Sequence, residues 1–334
     1  MNYSLDQDAR AVLLPAFDSL DFADVVGPFL DQGGHSLLIG ETRDEYVART
    51  MSETRLSTET ASIFRSAIER MLAKCPKLIV AVDAEMGGIQ RLRGLVPPLR
   101  ALAEAIALSH HDLADRCFRT ASAARELGVT MFLAPIADVA GRQNPWLRNR
   151  QMGTDPATVA KLVKAFVTGV QKAGISAVTK HFPGYDNLVA DPALVDVALH
   201  TPLEQILRNA LPFQAAIEAG TRAVMTGPAP VVAVDAENAA STSPAVIALL
   251  RQQFGFQGLV VSDDLDAPAT MRGRSLVATA VASLNAGADL LLVSGGPHLG
   301  ELCEGIAAAA RAGTVSAERL SDAANRVRQL AALL

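Results

Sequence analysis

The sequence has few cysteines, and their spacing excludes the structures that cysteines usually build. Its three cysteines, Cys75, Cys117 and Cys303, are far apart, and no CxxC motif is present. An odd number of scattered thiols argues against a disulfide framework and against a zinc site. No other cluster has metal-ligand spacing, and the glycine pair at 87–88 lacks the strand-turn-helix context of a dinucleotide site. We therefore expect three reduced core thiols and neither a metal nor another cofactor.

Basic clusters and long apolar runs are also missing. The net charge is −5, and no block of lysine and arginine is present. Binding of nucleic acid needs clustered cations that neutralise phosphates, so we expect no nucleic-acid partner. No apolar run reaches transmembrane length, and the first residues lack the basic and apolar regions of a signal peptide. We expect a cytoplasmic protein without a membrane partner, and the sequence leaves its oligomeric state open.

Aromatic residues make up only 4% of the chain, whereas hydrophobic residues make up 50%. This composition is typical of alanine-rich helices packed on short aliphatic strands, and it excludes a disordered chain. Eight short apolar runs have the character of parallel strands that are buried on both faces. These runs occupy residues 11–17, 35–41, 77–83, 129–135, 175–181, 222–227, 258–264 and 288–294.

Helical segments separate these apolar runs along the whole chain. We predict helices over residues 22–31, 55–72, 112–127, 156–173, 203–219, 244–254, 275–286 and 300–312, with a last helix from residue 317. Eight strands that alternate with helices predict an α/β fold, a single (β/α)₈ TIM-type barrel that residues 1–334 form as one domain. A doubly wound open sheet is the alternative architecture.

Charged residues stand at the ends of three predicted strands. The fifth run ends in Lys180 and His181, the third ends in Asp83, and the seventh ends in Asp263 and Asp264. In α/β proteins, functional sites are built at the carboxyl ends of the strands. Neighbouring carboxylates at such a rim shift one another's pKa, which is typical of a reactive site. We therefore expect these side chains to meet in one site.

The polar strand ends resemble motifs of glycoside hydrolase family 3, specifically of its single-domain bacterial β-N-acetylglucosaminidases (β-N-acetylhexosaminidases). The family's V-D-Q-E-G-G-R-V-Q-R corresponds to residues 82–91 without an insertion, and its K-H-F-P-G is intact at residues 180–184. Its N-P-x-x-x-x-R-x-x-G-x-D-P corresponds to residues 144–156, and S-D-D-L is intact at residues 262–265. The resemblance extends over almost the whole chain.

This resemblance implies an enzyme that acts on a small carbohydrate substrate, with Asp263 as the nucleophile. It also implies that five residues bind the hydroxyl groups of the sugar, namely Asp83, Arg91, Arg150, Lys180 and His181. The residue types suit these roles because carboxylates and cations make charge-assisted hydrogen bonds to hydroxyl groups. A retaining glycosidase also needs one ionised carboxylate beneath the anomeric carbon.

The sequence departs from the family at the general acid/base. In the family, K-H-F-P-G leads to an Asp-x-His dyad, whose histidine serves as the acid. Here Asp191 keeps the aspartate position, and Ala193 replaces the histidine. General acid catalysis contributes about 10²–10⁴-fold, so hydrolysis should be slow unless another group substitutes. Asp191 is the first candidate acid and Asp186 the second, because a carboxyl near Asp263 would have a raised pKa.

Three functional hypotheses follow from these motifs. The first is a retaining glycosidase or transglycosylase for β-N-acetylhexosaminides or related amino sugars, with a nonstandard or missing general acid. The second is a biosynthetic enzyme of the same fold that uses phosphate or a substrate needing no acid. The third is a catalytically silent sugar-binding protein. Intact Asp263 argues against the third hypothesis, because binding alone has less need of a nucleophile.

Overall fold

The computed structural model describes residues 3–99 and 101–334, and its central feature is a barrel of eight parallel strands. The strands of the described chain are β1 (Leu13–Phe17), β2 (Ser36–Ile39), β3 (Ile79–Val82), β4 (Met131–Phe132), β5 (Ser176–Phe182), β6 (Ala223–Thr226), β7 (Pro230–Val231), β8 (Asp235–Ala239), β9 (Leu259–Val261) and β10 (Leu291–Ser294). The barrel order is β10-β1-β2-β3-β4-β5-β6-β9, while β7 and β8 form a separate antiparallel pair.

The barrel closes between β9 and β10. The amide of Ser262 donates to the carbonyl of Leu290 at 2.9 Å, and the amide of Leu265 donates to the carbonyl of Leu292 at 3.0 Å. All eight predicted strands are present, each within its predicted run except β5, which extends one residue further to Phe182. The predicted (β/α)₈ barrel is therefore confirmed, and the open sheet is wrong.

Helices surround the barrel and connect its strands. Those of the described chain are α1 (Leu5–Ala11), α2 (Ala23–Asp31), α3 (Arg43–Ala48), α4 (Glu53–Thr58), α5 (Ala61–Leu72), α6 (Leu102–Ala107), α7 (His110–Glu126), α8 (Pro156–Lys172), α9 (Leu203–Asn209), α10 (Leu211–Glu218), α11 (Pro244–Ala248), α12 (Pro268–Met271), α13 (Leu276–Ala286), α14 (Leu299–Arg311) and α15 (Ala317–Ala332). A 3₁₀ turn spans Ala240–Thr242, and a π-helical turn, Leu249–Gln253, continues α11. No described helix is long and apolar enough to cross a membrane.

Two predicted helices are divided in the structure. The prediction over residues 55–72 is broken between α4 and α5, where Thr60 leaves helical geometry and accepts a hydrogen bond from the amide of Ile63 as an N-cap. The prediction over residues 203–219 is divided between α9 and α10 at Ala210, just before Pro212. Proline has no amide hydrogen to continue the preceding turn, which explains the second break. The sequence pattern did not predict α1, α3, α6, α12 or the β7–β8 pair.

The hydrophobic core has two layers. Residues that point into the barrel form the inner layer, which the apolar side of α15 covers at the amino-terminal ends of the strands through Val327 and Leu330. A larger outer layer lies between the strands and the surrounding helices. The three cysteines are buried and unpaired, as expected. Apolar packing thus closes the barrel at the amino-terminal ends of its strands. The polar carboxyl ends of the strands lie at the opposite end of the barrel.

Helices α7 and α8 pack closely at Gly169, and this contact generates a prediction about stability. A β-carbon at Gly169 would lie 2.1 Å from the carbonyl oxygen of Ala114, so Gly169→Ala forces the two backbones apart. We expect the free energy of unfolding to fall by about 1–3 kcal/mol, as for other overpacked cores. Gly300→Ala is the control, because a β-carbon at this exposed position of α14 meets nothing within 4 Å. Chemical denaturation measures both variants, and equal stabilities would contradict the prediction.

Candidate active site

A cavity of about 450 Å³ opens at the carboxyl ends of the barrel strands. Five of the eight predicted site residues lie in its wall, namely Asp83, Arg150, Lys180, His181 and Asp263. Each comes from a strand end or from a loop that follows a strand, so barrel closure brings together positions that are up to 180 residues apart. The other three predicted residues, Arg91, Asp186 and Asp191, are not part of this wall.

The buried carboxylate of Glu85 holds two cations of the wall in place. Its Oε1 atom accepts from Lys180 Nζ at 2.9 Å and from Arg150 Nη2 at 2.6 Å, and Lys180 Nζ also donates to Asp83 Oδ1 at 2.5 Å. Burial raises the pKa of Glu85, but the charges of Arg150 and Lys180 outweigh burial and hold this pKa well below its usual range. Glu85, Arg150, Lys180 and Asp83 therefore form one ionic cluster within the wall.

Glycine at position 88 makes room for this cluster. A β-carbon there would lie 2.2 Å from Glu85 Oε2 and 2.9 Å from Arg150 Cγ, so any larger residue would displace the ion pair. The amide of Ile89 completes the site by donating to Glu85 Oε2 at 3.1 Å. The glycine pair noticed in the sequence therefore allows the close approach of side chains within the wall.

His181 is held by an aspartate that the sequence analysis missed. Asp138 Oδ2 lies 2.9 Å from His181 Nδ1 and also accepts from the amide of His181 at 3.0 Å. The second oxygen of Asp138 accepts from the amide of Tyr185 at 2.8 Å, and the residue is fully buried. The other ring nitrogen of His181 lies 3.9 Å from Asp263 Oδ2. A lone acid within the apolar stretch 131–140 was the available signal for Asp138.

Asp263 presents a bare carboxylate oxygen near this histidine. Its Oδ1 atom accepts from the amide of Asp264 at 2.8 Å, whereas its Oδ2 atom is buried and has no hydrogen-bond partner among the described residues. Burial raises the pKa of Asp263, and His181, Lys180 and Arg150 act in the opposite direction. Buried polar atoms are nearly always paired in proteins, so an unpaired oxygen in a cavity wall indicates a position that a ligand or reacting atom fills.

The two predicted acids lie outside the wall for different reasons. Asp186 is turned towards α9, where it accepts hydrogen bonds from Thr201 at 2.5 Å, Gln205 at 2.7 Å and Asn209 at 3.2 Å. Asp191 accepts from the amide of Ala193 at 2.9 Å in a tight turn. Residues 192 and 193 of that turn line the cavity, but Asp191 does not. The position of Asp186 therefore does not support a role as the acid. Asp191 directly precedes the first residue of this turn that lines the cavity, Pro192.

Arg91 lies behind the wall because another carboxylate binds it. Its two terminal nitrogens donate to the two oxygens of Glu59 at 2.5 and 2.8 Å, and its Nε donates to the carbonyl of Gly40 at 2.6 Å. A bidentate pair of this kind fixes a guanidinium strongly. The structure therefore does not bring Arg91 together with the other predicted sugar-binding residues.

Two further acids of the wall, Glu41 and Asp264, have raised pKa values, and of these only Asp264 was expected at the site from the sequence. Burial, with Asp83 and Glu85 nearby, raises the pKa of Glu41 to about 8. Burial and the charge of Asp266 likewise raise the pKa of Asp264 to about 7. Glu41 Oε2 is buried without a hydrogen-bond partner among the described residues. Its place at the end of the second predicted strand was the signal that could have identified it.

Aromatic side chains close one side of the cavity. The rings of Trp146 and His181 lie 4.4 Å apart, and Tyr46 accepts hydrogen bonds from Trp146 Nε1 at 3.2 Å and from Arg150 Nη1 at 3.1 Å. Within residues 3–99 and 101–334, no group of three His, Cys, Asp or Glu side chains is arranged to hold a metal ion.

Comparisons with known proteins agree on one family. The profile described as "Glycosyl hydrolase family 3 N terminal domain" matches residues 38–330. A protein named beta-hexosaminidase from Xylella fastidiosa is 34% identical over 261 residues, which is 75% of this chain and 77% of the relative. Another beta-hexosaminidase, from Thiobacillus denitrificans, is 32% identical over 290 residues, 83% of this chain and 80% of the relative.

Solved structures give the same result. A beta-N-acetylhexosaminidase from Beutenbergia cavernae superposes with a TM-score of 0.82 at 25% identity and covers 99% of both chains. A family 3 beta-N-acetylglucosaminidase from Paenibacillus superposes with a TM-score of 0.86 at 26% identity, over 99% of this chain and 63% of that one. The resemblance that the sequence motifs carry is therefore confirmed over nearly the whole chain.

The ionic cluster around Glu85 yields a prediction about stability and pH. Glu85→Gln leaves Arg150 and Lys180 with an unbalanced buried charge, so we expect it to lower the free energy of unfolding by about 3–5 kcal/mol at pH 7. Since the folded pKa of Glu85 is depressed, its contribution is complete above its unfolded pKa of about 4.3 and is lost as the pH falls further. The difference between wild type and variant should therefore shrink in acid.

Thermal unfolding from about pH 2.5 to pH 8 measures this difference. Glu204→Gln is the matched control, because it removes an exposed carboxylate whose partner Arg208 is also exposed. We expect the control to unfold like the wild type at every pH. A Glu85→Gln variant that is as stable as the control at pH 7 would show that the cluster does not stabilise the fold.

Proposed function

The chain belongs to glycoside hydrolase family 3, and we propose that it is a retaining glycosidase or transglycosylase for β-N-acetylhexosaminides or related amino sugars, with Asp263 as the nucleophile. The observation that carries the proposal is the buried, unpaired Oδ2 atom of Asp263 in the cavity wall, 3.9 Å from His181 Nε2. A carboxylate oxygen with no partner in the protein is free to attack a carbon atom. The beta-hexosaminidase names of the relatives support the choice of sugar.

In the proposed reaction, Asp263 Oδ2 forms a bond to the anomeric carbon while the bond to the leaving oxygen breaks. Water then attacks the covalent glycosyl-enzyme on the opposite face, releases Asp263 and restores the original configuration. An acceptor alcohol in place of water gives transglycosylation. Asp83, Arg150, Lys180 and His181 are the proposed sugar-binding residues, and Asp138 is the residue that positions His181 by binding its Nδ1 atom.

Arg91 has a different proposed part. Its bidentate pair with Glu59 keeps its charge behind the wall, and its Nε–H binds the carbonyl of Gly40, a residue of the cavity wall. Direct contact between Arg91 and a sugar would require this pair to open. We therefore propose that Arg91 supports the loop after β2 while it is paired with Glu59. It would reach a ligand only if Glu59 released it.

The leaving group receives little help from the protein in this proposal. The turn residues Pro192 and Ala193 line the cavity but have no side-chain proton to donate. Asp191 is the acid candidate next to them in the chain, and its side chain would have to leave the turn that binds the amide of Ala193. Substrates whose leaving groups need little protonation should therefore react best, because departure of a basic alkoxide is slow without an acid.

The two other hypotheses have less support. Phosphate would need a free cation, but Lys180 and Arg150 are already paired with Asp83 and Glu85, which leaves only the exposed Arg43 among the lysines and arginines of the described wall. A silent binding protein would have no need of an unpaired buried carboxylate such as Asp263. No specific observation favours either alternative over glycoside cleavage.

Replacement of the nucleophile tests the proposal directly. We expect Asp263→Asn to lower turnover of 4-nitrophenyl N-acetyl-β-glucosaminide by at least about 10³-fold, because the amide cannot form the covalent intermediate. Asp266→Asn is the control: its carboxylate accepts a hydrogen bond from the amide of Ser294 and lies outside the cavity wall. With Asp263→Ala, added azide should restore part of the turnover and yield the glycosyl azide of inverted configuration. Unchanged activity in Asp263→Asn would refute the proposed mechanism.

Asp191→Asn tests the identity of the acid. Since the structure holds Asp191 in a turn outside the wall, we expect the variant to slow aryl and alkyl N-acetylglucosaminides by similar factors, below about tenfold. Steady-state kcat/KM values for both substrates, with and without phosphate, provide the measurement. A loss confined to the alkyl substrate would instead establish Asp191 as the acid. Faster turnover in phosphate would favour the phosphorolytic alternative.

A further inference from the structure

The charges of the cavity wall are not balanced. Lys180 is shared by Asp83 and Glu85, and Arg150 is bound by Glu85, so both buried cations are neutralised within the protein. Among the described residues of the wall, this pairing leaves Glu41 without a partner for its buried oxygen. The oxygen therefore makes no hydrogen bond to the protein, although it lies beside the residues that are proposed to bind the sugar.

An unpaired buried carboxyl costs free energy unless a ligand satisfies it. Three classes of group could do so, namely a metal ion, a neutral hydroxyl and an organic cation. The described residues offer no metal-binding cluster, so a metal ion is disfavoured. A hydroxyl would satisfy the hydrogen bond but would bring no positive charge to stabilise the carboxylate form of Glu41. A protonated amine satisfies both the hydrogen bond and the charge.

We propose that Glu41 binds a protonated amino group of the sugar, so that the cavity accepts glycosides of free amino sugars in preference to their N-acetylated forms. This inference rests on the proposed glycosidase function and narrows its substrate class. Acetylation would remove the positive charge of the amino group. It would place a neutral amide beside Glu41, which has no ion-pair partner among the described residues. Glu41 is then a specificity-determining residue of the glycone site.

The electrostatic surroundings of Glu41 agree with this assignment. Burial, Asp83 and Glu85 raise its pKa to about 8, and Lys180 and Arg150 act in the opposite direction without cancelling the increase. The raised pKa favours the protonated form of Glu41 in the empty site. An ammonium group that binds to it favours the carboxylate form and expels the proton. Binding of a free amino sugar should consequently release protons, whereas binding of an N-acetylated sugar should not.

Three substrates with the same leaving group test the preference. We expect wild-type kcat/KM to be at least about tenfold higher for 4-nitrophenyl β-glucosaminide than for the N-acetyl-β-glucosaminide or the β-glucoside. Glu41→Gln keeps the shape of the side chain and should lower the glucosaminide value by at least about 30-fold, with changes below about threefold for the other two. Equal losses for all three substrates, or a wild-type preference for the acetamide, would overturn the proposal.

Asp18→Asn separates a specific contact from a general field effect. Asp18 is an exposed acid of the same cavity, so its replacement changes the net charge of the mouth by the same amount. We expect this variant to lower the glucosaminide value by less than about threefold, because exposed charges are screened by water and salt. A loss as large as that of Glu41→Gln would assign the preference to the field of the cavity and overturn the role of Glu41.

Binding without turnover separates this inference from the proposed function. In Asp263→Asn, calorimetric titration with glucosamine in buffers of different ionisation enthalpy should show proton release at a pH where the amine is fully protonated. The double variant Asp263→Asn, Glu41→Gln should show neither the release nor the affinity. If wild type cleaves no glycoside but this binding pattern holds, the glycosidase proposal fails while the amine site stands. If wild type cleaves the glycosides but binding does not depend on Glu41, the amine site fails while the glycosidase proposal stands.

Discussion

The polar wall of the cavity depends on one buried carboxylate, that of Glu85. Two cations, Lys180 from the end of β5 and Arg150 from the loop after β4, meet at its oxygens. Without it, Arg150 would be a buried charge with no carboxylate partner and Lys180 would keep only Asp83, and an unpaired buried charge costs several kcal/mol. Gly88 makes the meeting possible, since any side chain there would occupy the space of the carboxylate. The geometry of the polar wall therefore follows from an ion cluster whose charges are paired within the protein, without a ligand.

This internal pairing changes what the cavity offers to a ligand. Because the cations are neutralised inside the protein, a ligand meets two carboxyl oxygens without protein partners, one on Asp263 and one on Glu41. They differ in their surroundings: Asp263 lies near His181, whereas Glu41 lies near the acids Asp83 and Glu85. In our proposals the first oxygen attacks the sugar and the second selects its amine. Both roles use the same physical fact, that a desolvated carboxyl lacks a partner until substrate arrives.

The loop after β5 keeps both candidate acids, Asp186 and Asp191, out of the cavity wall. Asp186 is drawn away to α9 by three hydrogen bonds, and Asp191 is used to form the turn that carries Ala193. In our proposal the site combines an unpaired nucleophilic carboxylate, that of Asp263, with poor assistance to the leaving group. Such a site suits a substrate whose leaving group is already weakly basic.

The sequence by itself determined the eight strands, the barrel and the family, because buried parallel strands leave continuous apolar runs and the site motifs stand at their ends. It also selected the five residues that meet in the cavity. It did not select Asp138 or Glu41, because an acid becomes informative only when its burial and its partners are known. It likewise did not reveal that Glu59 binds Arg91 or that α9 binds Asp186. Those pairings join distant parts of the chain, so only the tertiary structure decides which charges are satisfied within the protein and which remain for a ligand.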